Sequence, residues 1–159
     1  MKEYFLNPKA TNEFFIEDNT GEKWGVTGDI GYVTADGQVV VKCRAKERFT
    51  NEKNESCFPY QIEDALYDLE EVRRCKVIST AYEGKPVMAV HISLKTDIAD
   101  KQALAERMQG ILRQNKEIRL LPKLFKFRES FPINQAGKTD MLGMAAETDG
   151  FIVMPDQAV

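Results

Sequence analysis

Four groups of residues have types and spacing that could do chemistry, and each also has a plain structural reading. In Thr27-Gly28-Asp29 a carboxylate follows a glycine turn, where it could accept paired hydroxyl hydrogens from a sugar or simply cap a loop. Arg44, beyond the next apolar run, could clamp the same diol or a phosphate, or stand solvated. The stretch Pro132-Ile133-Asn134-Gln135-Ala136-Gly137-Lys138 reads as a mobile loop that delivers a long ammonium beside a glycine. A lysine there could neutralise charge developing on phosphoryl or acyl-phosphate oxygens, or be an ordinary surface lysine. The polar run from Asn51 to Ser56, with Asn54 and Glu55 in it, could border a ligand or merely join a strand to a helix.

Other chemistry is excluded on the same residues. Gly137-Lys138-Thr139 lacks the leading glycine of a phosphate-cradling Walker loop. Cys43, Cys57 and Cys75 are widely spaced without a CxxC pair, and the single His91 cannot complete a Cys/His zinc set, so no metal site is expected. The three thiols read as buried. His91 falls on the strand face opposite Met88, Val90, Ile92 and Leu94, and Cys57 has no histidine near it in sequence, which argues against a nucleophilic dyad.

A formal charge of -3, from 22 Lys and Arg against 25 Asp and Glu, argues against a general nucleic-acid or anionic-membrane surface. Phe125 and Phe127 alternate with Lys126 as strand residues that build a core, not as a base-stacking platform. No run of 18 apolar residues exists, and Asn7-Pro8 falls where a signal peptide would need its apolar stretch, so a cytoplasmic address is expected.

Positioning these groups requires a folded scaffold, and 159 residues that are 43% hydrophobic and 30% charged can build one. The first forty-odd residues read as short strands and turns punctuated by Gly21, Gly25, Gly28 and Gly31, with no helix to cover a sheet face. Tyr32-Val33, Asp36-Gly37 and Val39-Val40-Val41 read as a hairpin with a tight primed turn. Charge at residues 44–48 marks a boundary.

From Pro59 the order is α-β-β-α-β. Ile62, Ala65, Leu66 and Leu69 make the apolar stripe of a first helix, with Glu63, Asp64, Tyr67 and Asp68 on its wetter side. Strands at 74–80 and 86–95 pair around Tyr82 to Lys85, a helix spans 100–114 and covers that hairpin, and a further strand spans 124–128. Gly150 to Val159 reads as either a short apolar strand or a disordered tail. The fold class is α+β: a small α-β-β-α-β domain with an antiparallel hairpin, preceded by a β-rich segment.

Read together, these pieces resemble the carboxyl-terminal end of the AMP-forming acyl-CoA synthetase, luciferase and adenylation-domain superfamily. Met1 to Thr11 is similar to its MKGYxxNPxAT stretch, Trp24 to Asp29 to its WxxTGD, and Asp36-Gly37 to its DG hairpin. Arg44-Ala45-Lys46-Glu47 resembles the GRxKD hinge with Cys43 in place of glycine, Pro59 to Glu63 resembles PxEIE, and Pro132 to Lys138 resembles PxxxxGK. The correspondence runs to about residue 142.

The resemblance implies that Asp29 holds the ribose hydroxyls of ATP or the acyl-adenylate, with Thr27 and Arg44 supporting the same nucleotide. Lys46 would be the domain hinge, and Lys138 the lysine that contacts carboxylate and α-phosphate oxygens during adenylation. It divides the chain into the end of a large adenylating domain (1–44), a mobile C-terminal domain (45–143) and a tail (144–159) that is disordered in one reading. ATP with magnesium would be used by the complete enzyme, and coenzyme A or a carrier pantetheine would take the acyl group. The partners implied are a missing large domain, a carboxylate substrate and a thiol acceptor, without nucleic acid or membrane. The chain is expected to be a cut piece of a longer enzyme, inactive and without tightly bound nucleotide by itself. Relatives carry a glycine near the pantetheine route where this chain has Asn51 to Cys57; Asn54 and Glu55 would border that channel, so thiol transfer is less strongly implied than adenylation. The alternative from another class is a noncatalytic interaction or regulatory remnant of the same scaffold.

Overall fold

The computed structural model describes residues 3–51 and 53–155 in two units, the first ending at Lys46 and the second beginning at Glu47. Met1, Lys2, Glu52 and the last four residues of the expected tail lie outside the described residues.

The first unit opens with a helix where only strands and turns were expected. Asn7 accepts the Ala10 N–H on its side-chain oxygen at 3.0 Å, and Pro8 takes the first helical position, where its missing N–H costs nothing; together they start α1 (Pro8–Phe14). The strands β1 (Phe15–Glu17) and β2 (Lys23–Gly25) then pair antiparallel. Their turn is organised by Asp18, whose carboxylate accepts from the Thr20 hydroxyl and N–H, the Glu22 N–H and Trp24 Nε1. The bonds from Thr20 and Trp24 hold that carboxyl well below the usual range.

A second hairpin pairs β3 (Asp29–Val33) with β4 (Val39–Arg44). Its turn is wider than the expected two-residue primed turn: only Gly37 takes a positive φ (83°), and Thr34 bonds Gln38 across the loop. At Gly31 the partner strand comes so close that a Cβ would sit 2.3 Å from the Val40 carbonyl oxygen, beside an irregularity of register.

The second unit is built on a four-stranded sheet in the spatial order β10 (Ile152–Val153), β9 (Leu124–Phe127), β8 (Lys85–Leu94) and β7 (Val72–Tyr82). A short hairpin of β5 (Phe49–Thr50) and β6 (Ser56–Cys57) leads into α2 (Pro59–Tyr67), and β7 (Val72–Tyr82) turns tightly into β8 (Lys85–Leu94). The two-residue primed turn is here, at Glu83-Gly84, both with positive φ (51° and 74°). Then come α3 (Lys101–Gln114), β9 (Leu124–Phe127), α4 (Met141–Ala145) and β10 (Ile152–Val153). β9 runs parallel to β8, a pairing made possible by the crossover through α3.

Both faces of this sheet are covered, so β8 is buried from Met88 to Ser93. On one face Val77, Val90, Ile92 and Phe125 pack with Ile62 and Leu66 of α2 and Leu104, Met108 and Leu112 of α3. On the other, Ile78, Ala89 and Leu124 pack with Phe131 and with Met144 of α4.

Two further details differ from the sequence reading. Glu63, expected on the wet side of α2, is buried: its carboxylate accepts the Val77 N–H at 2.8 Å and the Lys76 ammonium at 2.8 and 3.0 Å. One turn on, the Tyr67 hydroxyl accepts the Cys75 N–H and donates to the Cys75 carbonyl, each at 3.1 Å. β7 is an edge strand, and these two side chains from α2 satisfy backbone groups that a neighbouring strand would otherwise take. The expected tail beyond residue 143 is also folded as far as it is described. Met144 and Met154 are buried, and Ile152 and Val153 pair with Phe125 and Leu124, because β9 would otherwise be an uncovered edge.

Candidate functional site

Asp29 and Arg44 are directly opposite in the β3–β4 register, which brings together two residues fifteen apart in sequence. Arg44 Nε donates to Asp29 Oδ1 at 2.9 Å and its Nη1 donates to the Thr27 carbonyl at 2.7 Å, while the Thr27 hydroxyl accepts the Asp29 N–H at 3.2 Å. Gly28, at φ 76°, makes the turn between them. Thr27, Asp29 and Arg44 thus form one polar cluster. The guanidinium fork, held to a backbone carbonyl, fixes one carboxylate oxygen, and Asp29 still leaves about a third of its side chain accessible to a hydrogen-bond donor from outside. Ala45 donates to the Gly28 carbonyl at 2.8 Å, so the chain is anchored up to the residue before Lys46, an exposed lysine that closes the first unit.

In the second unit the Pro132–Lys138 stretch is more ordered than a loose loop. The Asn134 side-chain oxygen accepts N–H bonds from Ala136 (2.9 Å) and Lys138 (3.1 Å), Asn134 N–H donates to the Lys138 carbonyl at 2.7 Å, and Gly137 turns the chain at φ 74°. An antiparallel bridge between Ile133 and Thr139 closes the base. The backbone of Lys138 is therefore fixed while its side chain is exposed. A four-carbon stem on a stapled turn gives the ammonium reach without giving the backbone freedom.

Asn54 adopts a positive φ (61°) in the β5–β6 loop, a conformation asparagine tolerates in place of glycine. Asn51 braces this loop, accepting from Lys53 and Glu55 N–H and donating to the Glu55 carboxylate at 2.8 Å. Glu55 lines a cavity of about 400 Å³ together with Lys53, Tyr82, Lys85, Leu120 and Lys123; Asn54 does not line it.

A buried polar cluster escaped the sequence reading. His91 is wholly buried, and Arg128 Nη2 lies 2.8 Å from its Nδ1. A guanidinium can only donate, so Nδ1 accepts and the ring is the neutral Nε2–H tautomer. Burial, then the Arg128 charge, depress the imidazole to about 4, against the opposing pull of Glu147. Glu147 accepts from Arg128 at 2.6 Å and Lys126 at 2.7 Å; burial pushes its carboxyl up, but those bonds outweigh it and hold the group below its ordinary value. Strand alternation could have placed Lys126 and Arg128 on one face, but only the parallel β8–β9 pairing puts His91 beside them.

Cys57 and Cys75 are buried and unreactive in character: burial raises Cys57 to about 11 and Cys75 further still. Cys43 is half-buried, unlike the expectation for all three. Among the described residues no group of three or more His, Cys, Asp or Glu could hold a metal ion, and no helix is long and apolar enough to cross a membrane.

No family model matches the chain. Among curated proteins it is 27% identical over 158 residues to a D-alanine–D-alanyl carrier protein ligase of Lactococcus lactis, covering 94% of this chain and 30% of that protein. It is 30% identical over 140 residues to the long-chain-fatty-acid–CoA ligase FadD13 of Mycobacterium tuberculosis, covering 87% of this chain and 26% of that one. The chain thus spans between a quarter and a third of the length of these relatives. Among solved structures, an O-succinylbenzoate coenzyme A synthetase of Bacillus subtilis in complex with AMP superposes with a TM-score of 0.68 at 22% identity, over 94% of this chain and 29% of that one. An ATP-bound RpMatB-BxBclM chimera superposes with a TM-score of 0.74 at 21% identity, over 91% and 28% respectively.

Proposed function

Because this chain belongs to the superfamily of AMP-forming acyl-CoA ligases and adenylation-domain proteins and matches its C-terminal region, we propose that it supplies the hinge and the lysine for acyl-adenylate formation in an ATP-dependent carboxylate ligase. The observation that carries this reading is the Asp29–Arg44–Thr27 cluster, a carboxylate held in place by an arginine with part of its surface open to hydroxyl donors.

In the proposed reaction a carboxylate oxygen of the substrate attacks the α-phosphorus of ATP, the bond to the β-phosphate oxygen breaks, and pyrophosphate leaves. Asp29 accepts hydrogen bonds from the ribose hydroxyls, while Arg44 keeps the carboxylate oriented. Lys138 places its ammonium against the carboxylate and α-phosphate oxygens, where negative charge accumulates in the transition state. Lys46 is the point about which the second unit turns between half-reactions. The thiol of coenzyme A or a carrier pantetheine, beside the Asn54–Glu55 loop, then attacks the acyl carbonyl carbon; the thioester bond forms as the bond to the AMP oxygen breaks, AMP leaves and the thiol proton passes to water. Magnesium would neutralise the ATP phosphates; among the described residues no group of three or more His, Cys, Asp or Glu could hold it.

The test is ATP–pyrophosphate exchange with the large adenylating domain present, in one chain or as a partner, using a panel of fatty, aromatic and amino-acid carboxylates. Lys138→Ala should lower exchange by about 10²- to 10³-fold with the fold unchanged. Exchange equal to wild type would reject the assignment. By itself the chain should bind ATP weakly or not at all in calorimetry, because the rest of the nucleotide pocket is needed to offset desolvation of Asp29 and Arg44.

A further inference from the structure

We propose that Arg74 is a positioning residue for Lys138; the inference rests on the adenylation reading given above. Arg74 sits on β7, outside every motif read from the sequence. Its Nη2 donates to Thr139 Oγ1 at 2.6 Å, and its guanidinium lies over the Phe131 ring, 4.8 Å from the centroid. Phe131 and Thr139 flank the turn that carries Lys138, one on each side.

The turn is closed internally by the Asn134–Lys138 backbone bond, the Ile133–Thr139 bridge and the Asp140 N–H donated to the Pro132 carbonyl at 2.9 Å. Those contacts fix its shape but do not say where it stands on the sheet. Arg74 does that at both ends of the loop at once, through the hydrogen bond to Thr139 and through the face of Phe131. Phe131 is itself buried and has the Arg128 guanidinium 5.7 Å from its ring centre. A lysine whose backbone neighbour is tied to a β-strand loses fewer orientations on reaching its target than one on a free turn. A displacement of about 1 Å at such a position can cost on the order of a hundredfold in rate.

The geometry makes a specific demand. The contribution of Arg74 must run through Thr139, and it must be felt in the half-reaction that uses Lys138 and not in the one that does not. Arg74→Ala and Thr139→Val should each lower ATP–pyrophosphate exchange by about tenfold, and the double variant should lose little more than either alone. Arg74→Lys keeps one donor and should recover part of the rate. Thioester formation from the preformed acyl-adenylate and coenzyme A should stay within about twofold of wild type, a split that general loosening of the domain would not produce.

A second measurement separates this proposal from the role of Lys138. Amide hydrogen exchange at Asn134 and Lys138 in the chain as it stands should quicken in Arg74→Ala and not in Arg74→Lys. Unchanged loop exchange in Arg74→Ala, or equal losses in both half-reactions, overturns the positioning role. If Lys138→Ala leaves pyrophosphate exchange intact while the loop amides still respond to Arg74→Ala, the anchor stands as a description of the loop, and it is the adenylation reading that falls, taking the positioning role with it.

Discussion

Acidification should weaken the second unit in a window set by one residue. His91 is wholly buried, accepts a hydrogen bond from Arg128 on Nδ1, and leaves Nε2 without a partner among the described residues. Burial and the Arg128 charge bring its folded-state value from 6.5 to about 4, with Lys126 adding to the depression and Glu147 opposing it. The unfolded chain therefore takes up a proton below about 6.5 that the folded chain refuses until about 4, so the unfolded state gains as pH falls across that interval. The full interval from 6.5 to about 4 corresponds to about 3 kcal/mol, of which about 2 kcal/mol should be lost by pH 5. That loss shifts a urea midpoint by about 1 M for a unit of this size. The chain contains one histidine, so its imidazole proton signals need no assignment and report the native value directly. His91→Gln keeps an acceptor for Arg128 but cannot titrate, and its stability should be flat between about pH 7 and pH 5. A native His91 titrating near 6.5, or a glutamine variant with the wild-type slope, would refute the reasoning.

Four further outcomes follow from the geometry. Glu63→Ala should cost about 2–4 kcal/mol in denaturant unfolding, because the Val77 N–H is left buried without an acceptor; Glu63→Gln keeps an acceptor and should cost about half as much. Gly31→Ala should disrupt the β3–β4 hairpin, read by loss of amide protection at residues 30–41, since its Cβ would overlap the Val40 carbonyl. Glu147 works in a lower pH window than His91: its folded-state value is depressed, so its contribution is present above its ordinary value of 4.5 and is lost as pH falls below that, visible as a second loss of stability removed in Glu147→Gln. Cys57 and Cys75 should resist a thiol reagent at neutral pH until the chain is unfolded, whereas prompt modification of Cys75 would contradict its burial.

How much of the site was legible depends on whether its residues are neighbours in sequence. The Thr27-Gly28-Asp29 turn and the Pro132–Lys138 loop were readable because glycine, carboxylate and lysine lie within a few positions, and turn chemistry is local. Arg44 could be named as a partner of Asp29, but the wider turn at Thr34 to Gln38 and the irregularity at Gly31 decide that the two face each other. Arg74 was invisible, since nothing in Val72-Arg73-Arg74-Cys75 says which arginine will reach a threonine sixty-five residues away. α1 was missed although Asn7-Pro8 is a start signal, because a seven-residue helix with no buried residue leaves little apolar period to detect.

Periodicity and composition by themselves determined the α+β class, the β7–β8 pairing with its Glu83-Gly84 turn, and the apolar stripes of α2 and α3. Each depends on contacts a few residues apart, where the covalent chain already limits the geometry. Only the tertiary structure decided that β9 lies parallel to β8, that β10 protects its outer edge, and that His91, Arg128, Lys126 and Glu147 meet beneath the segment following α4. It also turned Glu63 inward, since a buried edge strand must find hydrogen-bond partners for its backbone wherever the fold can offer them. Those arrangements depend on which surfaces compete for burial once the whole chain has collapsed, and no local window of sequence contains that competition.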